Sequence, residues 1–135
     1  MKRVSFEVAK HLKEVGYPQE HNAPCYITEN CTKSYNLEII TNELRLRLKT
    51  YKEGQYIEEF QFSDKRCKPP RCYAPTYLDV WLWLWREKKI YIGLEAESYP
   101  HDGMCVPSYI DAPYSDPEEA IIAAIEYLVT NDLIK

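Results

Sequence analysis

One stretch of the sequence, Ala74–Ile92, constrains the fold more than any other. It reads APTYLDVWLWLWREKKIYI and contains all three tryptophans of the chain. The Ala-Pro pair disfavours helical dihedrals at its start, and Thr76 is a good capping residue, so a helix is predicted to begin at about Tyr77. The helical pattern ends near Lys88. From Ile90, apolar residues recur at every second position, which predicts a half-buried β-strand directly after the helix.

Helical phase separates Trp83 from the other two tryptophans. At about 100° per residue, Trp83 falls among polar side chains that include Arg86, away from one broad apolar side. That side consists of Tyr77, Leu78, Val80, Trp81, Leu84 and Trp85. If the helix docks through it, the Trp83 indole stays in water. Because Trp and Arg are enriched at binding hot spots, Trp83 and Arg86 are predicted interaction residues, facing a second copy of the chain or another protein. The alternative is that another part of the same chain covers Trp83.

Cap and stop signals predict two further helices. Asp116 stands where it can cap a helix over Pro117–Thr130, and the proline occupies the first helical position, where its missing N–H costs nothing. A first helix is predicted over Phe6–Val15, because Gly16 and a proline soon after it stop the pattern. Both segments have an apolar stripe at helical spacing, so both are predicted to pack against a core.

The remaining patterns predict antiparallel strands. Lys89–Ser98 and Met104–Ala112 are the predicted arms of a hairpin around the turn Pro100–Gly103. Upstream, leucines alternate with basic residues inside Asn36–Thr50, which predicts a half-buried strand. Tyr56–Phe62 is its predicted hairpin partner.

These elements amount to an α+β fold. The predicted architecture is a single domain over residues 1–135 in which an antiparallel sheet packs against about three helices, with Tyr17–Ser34 and Ser63–Tyr73 as loops. The helix, hairpin and helix at residues 74–135 are its most clearly patterned part. The longest strongly apolar run, Val80–Trp85, is far shorter than the ~20 residues that span a bilayer. Charges also interrupt the N-terminal segment, so we expect a cytoplasmic protein with no membrane association.

Charge is distributed unevenly along the chain. The net charge is −4, yet residues 44–89 carry a net +5 and residues 90–135 a net −8. A basic strand face and a basic loop in the middle third are candidates for a phosphate-tracking surface. The candidate residues are Arg45, Arg47, Lys49, Lys65, Arg66, Lys68 and Arg71. The alternative is that the basic middle and the acidic C-terminal third attract each other within the fold.

The cysteines raise the question of a metal site. The candidate ligands are His21, Cys25, Cys31, Cys67 and Cys72, all on predicted loops. Structural zinc sites usually contain pairs of ligands in tight knuckles, and the spacing here is looser. We therefore expect no metal and no cofactor, although the pattern leaves open whether these cysteines bind metal or stay free. A disulfide is disfavoured in a cytoplasmic protein. No pattern marks a catalytic residue.

The segment APTYLDVWLWLWREKKIYI, the hairpin after it and SDPEEAIIAAIEYLVTNDLIK together resemble a group of small proteins of bacterial prophages and other mobile elements, especially of Bacteroides-type bacteria. The resemblance covers residues 74–135, with an echo in VAKHLKEVGYP near the N-terminus. It implies a helix, hairpin and helix in a bacterial cytoplasm. The group brings no established activity and no catalytic residues.

Three function classes follow, in order of preference. The first is a non-enzymatic binding or interaction protein that uses the Trp83 side of its helix. The second is a regulator associated with nucleic acid through the basic middle segment. A small enzyme of unknown type is third.

Overall fold

The structure, a computed structural model, describes residues 2–20, 23–29, 52–58, 70–98 and 102–135. These residues form three helices and two small antiparallel sheets. The helices are α1 (Phe6–Glu14), α2 (Tyr77–Trp83, continued by a π-helical turn at Leu84–Lys88) and α3 (Pro117–Thr130). The strands are β1 (Cys25–Ile27), β2 (Tyr56–Ile57), β3 (Arg71–Tyr73), β4 (Leu94–Ala96) and β5 (Cys105–Pro107). The predicted α+β class is confirmed, and the architecture is consistent with a single-domain fold.

The chain divides into two compact units, Val4–Ala74 and Met1–Arg3 with Pro75–Lys135. In the first unit, β1 lies between β2 and β3 and pairs antiparallel with both. Tyr26 is opposite Tyr56 on one side and Cys72 on the other, so these side chains share a face of the sheet. The Phe6 ring of α1 lies 5.6 Å from the Tyr26 ring, which lies 5.3 Å from the Tyr56 ring. The start of α1 therefore covers this aromatic face.

Two segments predicted as loops contain strands. β1 lies inside Tyr17–Ser34, and β3 lies inside Ser63–Tyr73, so the loop prediction is wrong at both places. Each strand has only three residues, which is too short to show a period of two. Their pairing joins distant parts of the chain, and no local pattern reports it.

In the second unit, α3 packs against α2 and against the β4–β5 hairpin. The hairpin is antiparallel, as predicted, with Glu95 opposite Val106. Both arms are shorter than the predicted ranges. The core consists of the inner faces of the two helices and the segment before β4. Its buried side chains are Tyr77, Val80, Leu84, Ile92, Ala120, Ile121, Ile122, Ala124, Ile125, Leu128 and Ile134.

The predicted helix caps are present. The Thr76 side chain accepts a hydrogen bond from the backbone N–H of Asp79, and the Asp116 side chain accepts one from Glu118. Ser5 caps α1 in the same way, through the N–H of Val8. These bonds satisfy N–H groups that a helix leaves without an internal partner.

All three helices end with a residue in the left-handed conformation. These residues are Gly16 (φ 94°), Lys89 (φ 55°) and Asp132 (φ 53°). The next residue along then donates its N–H back to a carbonyl of the last turn, from Tyr17 to Leu12, from Ile90 to Leu84 and from Leu133 to Leu128. This is the Schellman arrangement, enlarged by one residue in α2 because its last turn is π-helical.

The end of α2 explains why the predicted strand starts late. Ile90 was the predicted start of period-two structure, but its N–H bonds to Leu84 and closes the helix. The strand β4 begins only at Leu94. The predicted strand Asn36–Thr50 lies outside the described residues, and of its predicted partner only Tyr56–Ile57 is described as a strand. Within the described ranges, no helix has the length and apolar content to cross a membrane.

Candidate functional site

The buried side of α2 is narrower than predicted. Tyr77, Val80 and Leu84 are at most 2% exposed and form the stripe that faces the core. Trp81 and Trp83 are half-buried on either flank of that stripe. Trp85 is 49% exposed, so the prediction that it belongs to the core-facing side is wrong. At about 100° per residue, positions 77, 80 and 84 cluster tightly, while 85 lies well to one side of them.

Trp83 and Arg86 differ in their surroundings. Trp83 is half-buried, and the Lys88 ammonium group lies 5.3 Å from the centroid of its ring. A cation over an indole face is attracted by the ring quadrupole, so part of the Trp83 surface already has an intramolecular neighbour. Arg86 is exposed. A contact role for Trp83 stays a prediction, and the more exposed indole of this helix belongs to Trp85.

Trp85 is the centre of a surface that we call the outer aromatic surface, formed by Trp81, Trp85 and Tyr91. The Trp85 ring lies 4.6 Å from the Tyr91 ring and 6.5 Å from the Trp81 ring, edge to face in both pairs. Tyr91 is 50% exposed. The indole N–H of Trp81 donates to the backbone carbonyl of Ile92, which fixes that ring. The surface therefore presents large aromatic groups whose orientations are set before any partner arrives.

An open groove of about 320 Å³ borders this surface. Its walls are Trp81, Leu82, Trp85 and Arg86, which come from two successive turns of the helix. The groove combines aromatic and aliphatic walls with one guanidinium group. The sequence pattern predicts a contact role for Arg86 but not for Trp85 or Tyr91, because it places Trp85 on the core-facing side of the helix and Tyr91 in a strand.

The basic candidates are only partly described. Arg45, Arg47, Lys49, Lys65, Arg66 and Lys68 lie outside the described residues. Arg71 is half-buried in β3, and its backbone carbonyl accepts a hydrogen bond from the Lys13 side chain. Whether these residues form one basic surface stays a prediction.

The two described cysteines of the predicted metal set are buried free thiols, Cys25 at 2% and Cys72 at 0% exposure. They lie on paired strands, but Cys25 is opposite Tyr73 whereas Cys72 is opposite Tyr26, so the thiols point to opposite faces. Burial raises the pKa of Cys25 to about 11, although the Arg71 guanidinium opposes the shift. Burial also raises the pKa of Cys72. At neutral pH both are therefore thiols and poor nucleophiles.

The other proposed ligands, His21, Cys31 and Cys67, lie outside the described residues. Among the residues that are described, no three His, Cys, Asp or Glu side chains are grouped so that they could hold a metal ion. For the complete set, the absence of a bound metal stays a prediction.

Comparison with known proteins adds no relative. No protein-family model matches the chain, and neither a curated protein nor a solved structure matches it. The geometry of α2 and its surroundings is therefore the basis for assigning a function.

Proposed function

We propose that this chain is a non-enzymatic binding protein whose contact site is the outer aromatic surface together with Arg86. One observation carries the proposal. Trp85 and Tyr91 are each about half exposed, at 49% and 50%, although their rings are held against each other at 4.6 Å. Large aromatic side chains and arginine are the residue types that contribute most at protein interfaces.

The ordering of these rings supports the same function. Binding costs free energy when side chains lose rotamer freedom, by about 0.5–1.5 kcal/mol for each flexible side chain. Trp81 is held by its hydrogen bond to Ile92, and Trp85 lies between Trp81 and Tyr91. A partner that docks here therefore loses less free energy to ordering than it would on isolated aromatic side chains.

A protein partner fits the charge of this unit better than a nucleic acid does. Single-stranded nucleic acid can stack on aromatic rings beside an arginine, and that arrangement is present at Trp81, Trp85 and Arg86. However, the whole of this unit, residues 1–3 and 75–135, carries a net charge of −5. This field repels a polyanion, so regulation through nucleic acid remains the second proposal and depends on the basic middle segment.

The proposed setting is the cytoplasm of a bacterium, with an origin in a prophage or another mobile element. The resemblance of residues 74–135 to proteins of such elements supports it. The binding role is compatible with the described cysteines, whose raised pKa values leave little thiolate for covalent chemistry.

Site-specific photo-crosslinking tests the proposal. A benzophenone amino acid replaces Trp85 in the protein expressed in the organism that carries the gene, and a matched variant carries it at Tyr56. Tyr56 is 42% exposed but lies in the other unit, outside the outer aromatic surface. We expect a discrete protein adduct from position 85 and none from position 56. Equal adducts at both positions, or no protein adduct at position 85, would contradict the proposal.

A further inference from the structure

The outward side of α2 carries a second apolar stripe, opposite the buried one. It consists of Leu78, Leu82 and Trp85, of which Leu78 is 40% exposed, Leu82 is half-buried and Trp85 is 49% exposed. The spacing is four residues and then three. This is the d, a, d spacing of a heptad, in which such positions form the seam between two helices.

Two opposite charges lie along one side of this stripe. Asp79 follows Leu78 and Arg86 follows Trp85, and both charged residues are exposed. They lie beside the seam, seven residues apart, Asp79 in the α-helical part of α2 and Arg86 in its π-helical turn. Two turns of helix, roughly 10 Å along the axis, separate them, so they are too far apart to pair with each other.

A second copy of the helix in antiparallel orientation brings these charges together. In that arrangement Asp79 of one copy lies level with Arg86 of the other, and the twofold axis repeats the pair. A parallel arrangement would instead place the two copies of Asp79, and the two copies of Arg86, on opposite sides of the seam, so neither charge would meet its opposite. The charge pattern is therefore complementary to itself in one orientation only.

We propose that the partner at this site is a second copy of the chain, bound through the outward side of α2 in an antiparallel, twofold-symmetric pair. The inference rests on the proposed function, because it names the occupant of the same surface. The groove between Trp81, Leu82, Trp85 and Arg86 accepts an apolar side chain of the facing helix, as holes between helices do. The contact is small, so the dimer is a weak one.

Sedimentation measured from about 1 µM to about 1 mM covers the range expected for a weak dimer. We expect the wild-type protein to shift from monomer to dimer within this range, and Trp85→Ala to stay monomeric with its fold intact. A wild-type protein that stays monomeric throughout would overturn the inference. If position 85 then still crosslinks to a different protein, the proposed binding function is retained and only the dimer is wrong. The absence of any adduct contradicts both the dimer and the binding function.

Charge reversal tests the orientation. The variant Asp79→Arg carries only positive charge beside the seam, and Arg86→Asp carries only negative charge. Each alone should dimerise at least about tenfold more weakly than wild type, because like charges then face each other. The equimolar mixture should dimerise again, because each pairing is then attractive. Glu87→Lys, a reversal of an exposed charge on the same helix but away from the seam, is the control and should leave the dimer unchanged.

Recovery in the mixture requires both variants to be folded, so it separates an interface effect from loss of structure. If the mixture does not associate more strongly than either variant alone, the antiparallel pairing is wrong. If Trp85→Ala dimerises as strongly as wild type, the dimer uses another surface and the inference fails.

Discussion

The indole N–H of Trp81 donates a hydrogen bond to the backbone carbonyl of Ile92, over 3.0 Å. This bond ties α2 to the segment that leads into β4. Ile92 is 1% exposed, so its carbonyl has little access to water. Trp81 thus contributes its ring to the outer aromatic surface while its N–H stabilises the chain beneath.

Replacing Trp81 by Phe should therefore destabilise the protein. The substitution keeps an aromatic ring but leaves the Ile92 carbonyl without this donor, at a cost of about 1–2 kcal/mol in the free energy of unfolding. Trp85→Phe is the matched control, since Trp85 is exposed and a surface substitution costs within about 0.5 kcal/mol. Denaturant unfolding measures both. Equal losses in the two variants would show that the hydrogen bond is not the cause.

Lys89→Gly should stabilise the protein. Lys89 has φ 55°, a left-handed conformation that costs an L-residue about 1 kcal/mol and glycine almost nothing. The substitution also removes the bond from the Lys89 side chain to the Arg86 carbonyl. Lys89→Ala removes the same bond but keeps the Cβ atom, so it should give no gain. A thermal midpoint that rises in the glycine variant alone confirms the prediction.

The bond between the Tyr77 hydroxyl and Glu126 should stabilise the packing of α2 on α3. The hydroxyl donates to the carboxylate over 2.9 Å, and Tyr77 is 2% exposed. Tyr77→Phe is expected to lower the free energy of unfolding by about 1 kcal/mol. Tyr127→Phe, an exposed tyrosine on the same helix as Glu126, is the control. In a double-mutant cycle, Glu126→Gln should have a smaller effect when Tyr77 is already Phe.

Stability should fall at alkaline pH. The pKa of Cys25 is about 11 in the folded protein, against an ordinary value of 9.0. Between these values the unfolded chain releases the Cys25 proton while the folded protein keeps it, so the free energy of unfolding decreases from about pH 9 to about pH 11. The expected loss from this residue is about 2 kcal/mol. The burial-raised pKa values of Tyr26 and Cys72 act in the same direction.

The variant Cys25→Ala isolates that contribution. Because the substitution also changes packing, the informative quantity is the slope of stability against pH rather than its absolute value. A slope between pH 9 and 11 as steep as in wild type would exclude Cys25 as the source.

The parts of the fold that depend on neighbouring residues could be predicted. Helix caps and stops involve groups within a few residues of one another, so the local sequence is enough to predict them. Examples are the caps at Thr76 and Asp116 and the stop at Gly16. The strands β1 and β3 could not, because three residues carry no periodicity and their partners are distant. The end of α2 near Lys88 could also be predicted, whereas the left-handed turn at Lys89 could not, since the residue that marks such a turn in a sequence is glycine.

The candidate site was predicted in part, for a related reason. A helix with apolar residues on most of its circumference has no single obvious inner side. The sequence pattern therefore predicts one broad apolar side. It does not separate the buried stripe with Tyr77, Val80 and Leu84 from the outward stripe with Leu78 and Trp85. The signal that separates them is the pair Asp79 and Arg86, whose charges mark the side toward water.

The central position of β1 in its sheet has a consequence for how the protein folds. β1 pairs with β2 and β3, and both of these partners follow it in the chain. A growing chain therefore exposes Cys25–Ile27 without β2 until the ribosome has passed Ile57, and without β3 until it has passed Tyr73. Each pairing then closes a long loop, which slows folding relative to the local contacts of a helix. The sheet is thus expected to be the late and rate-limiting event of folding, after α1 has already formed.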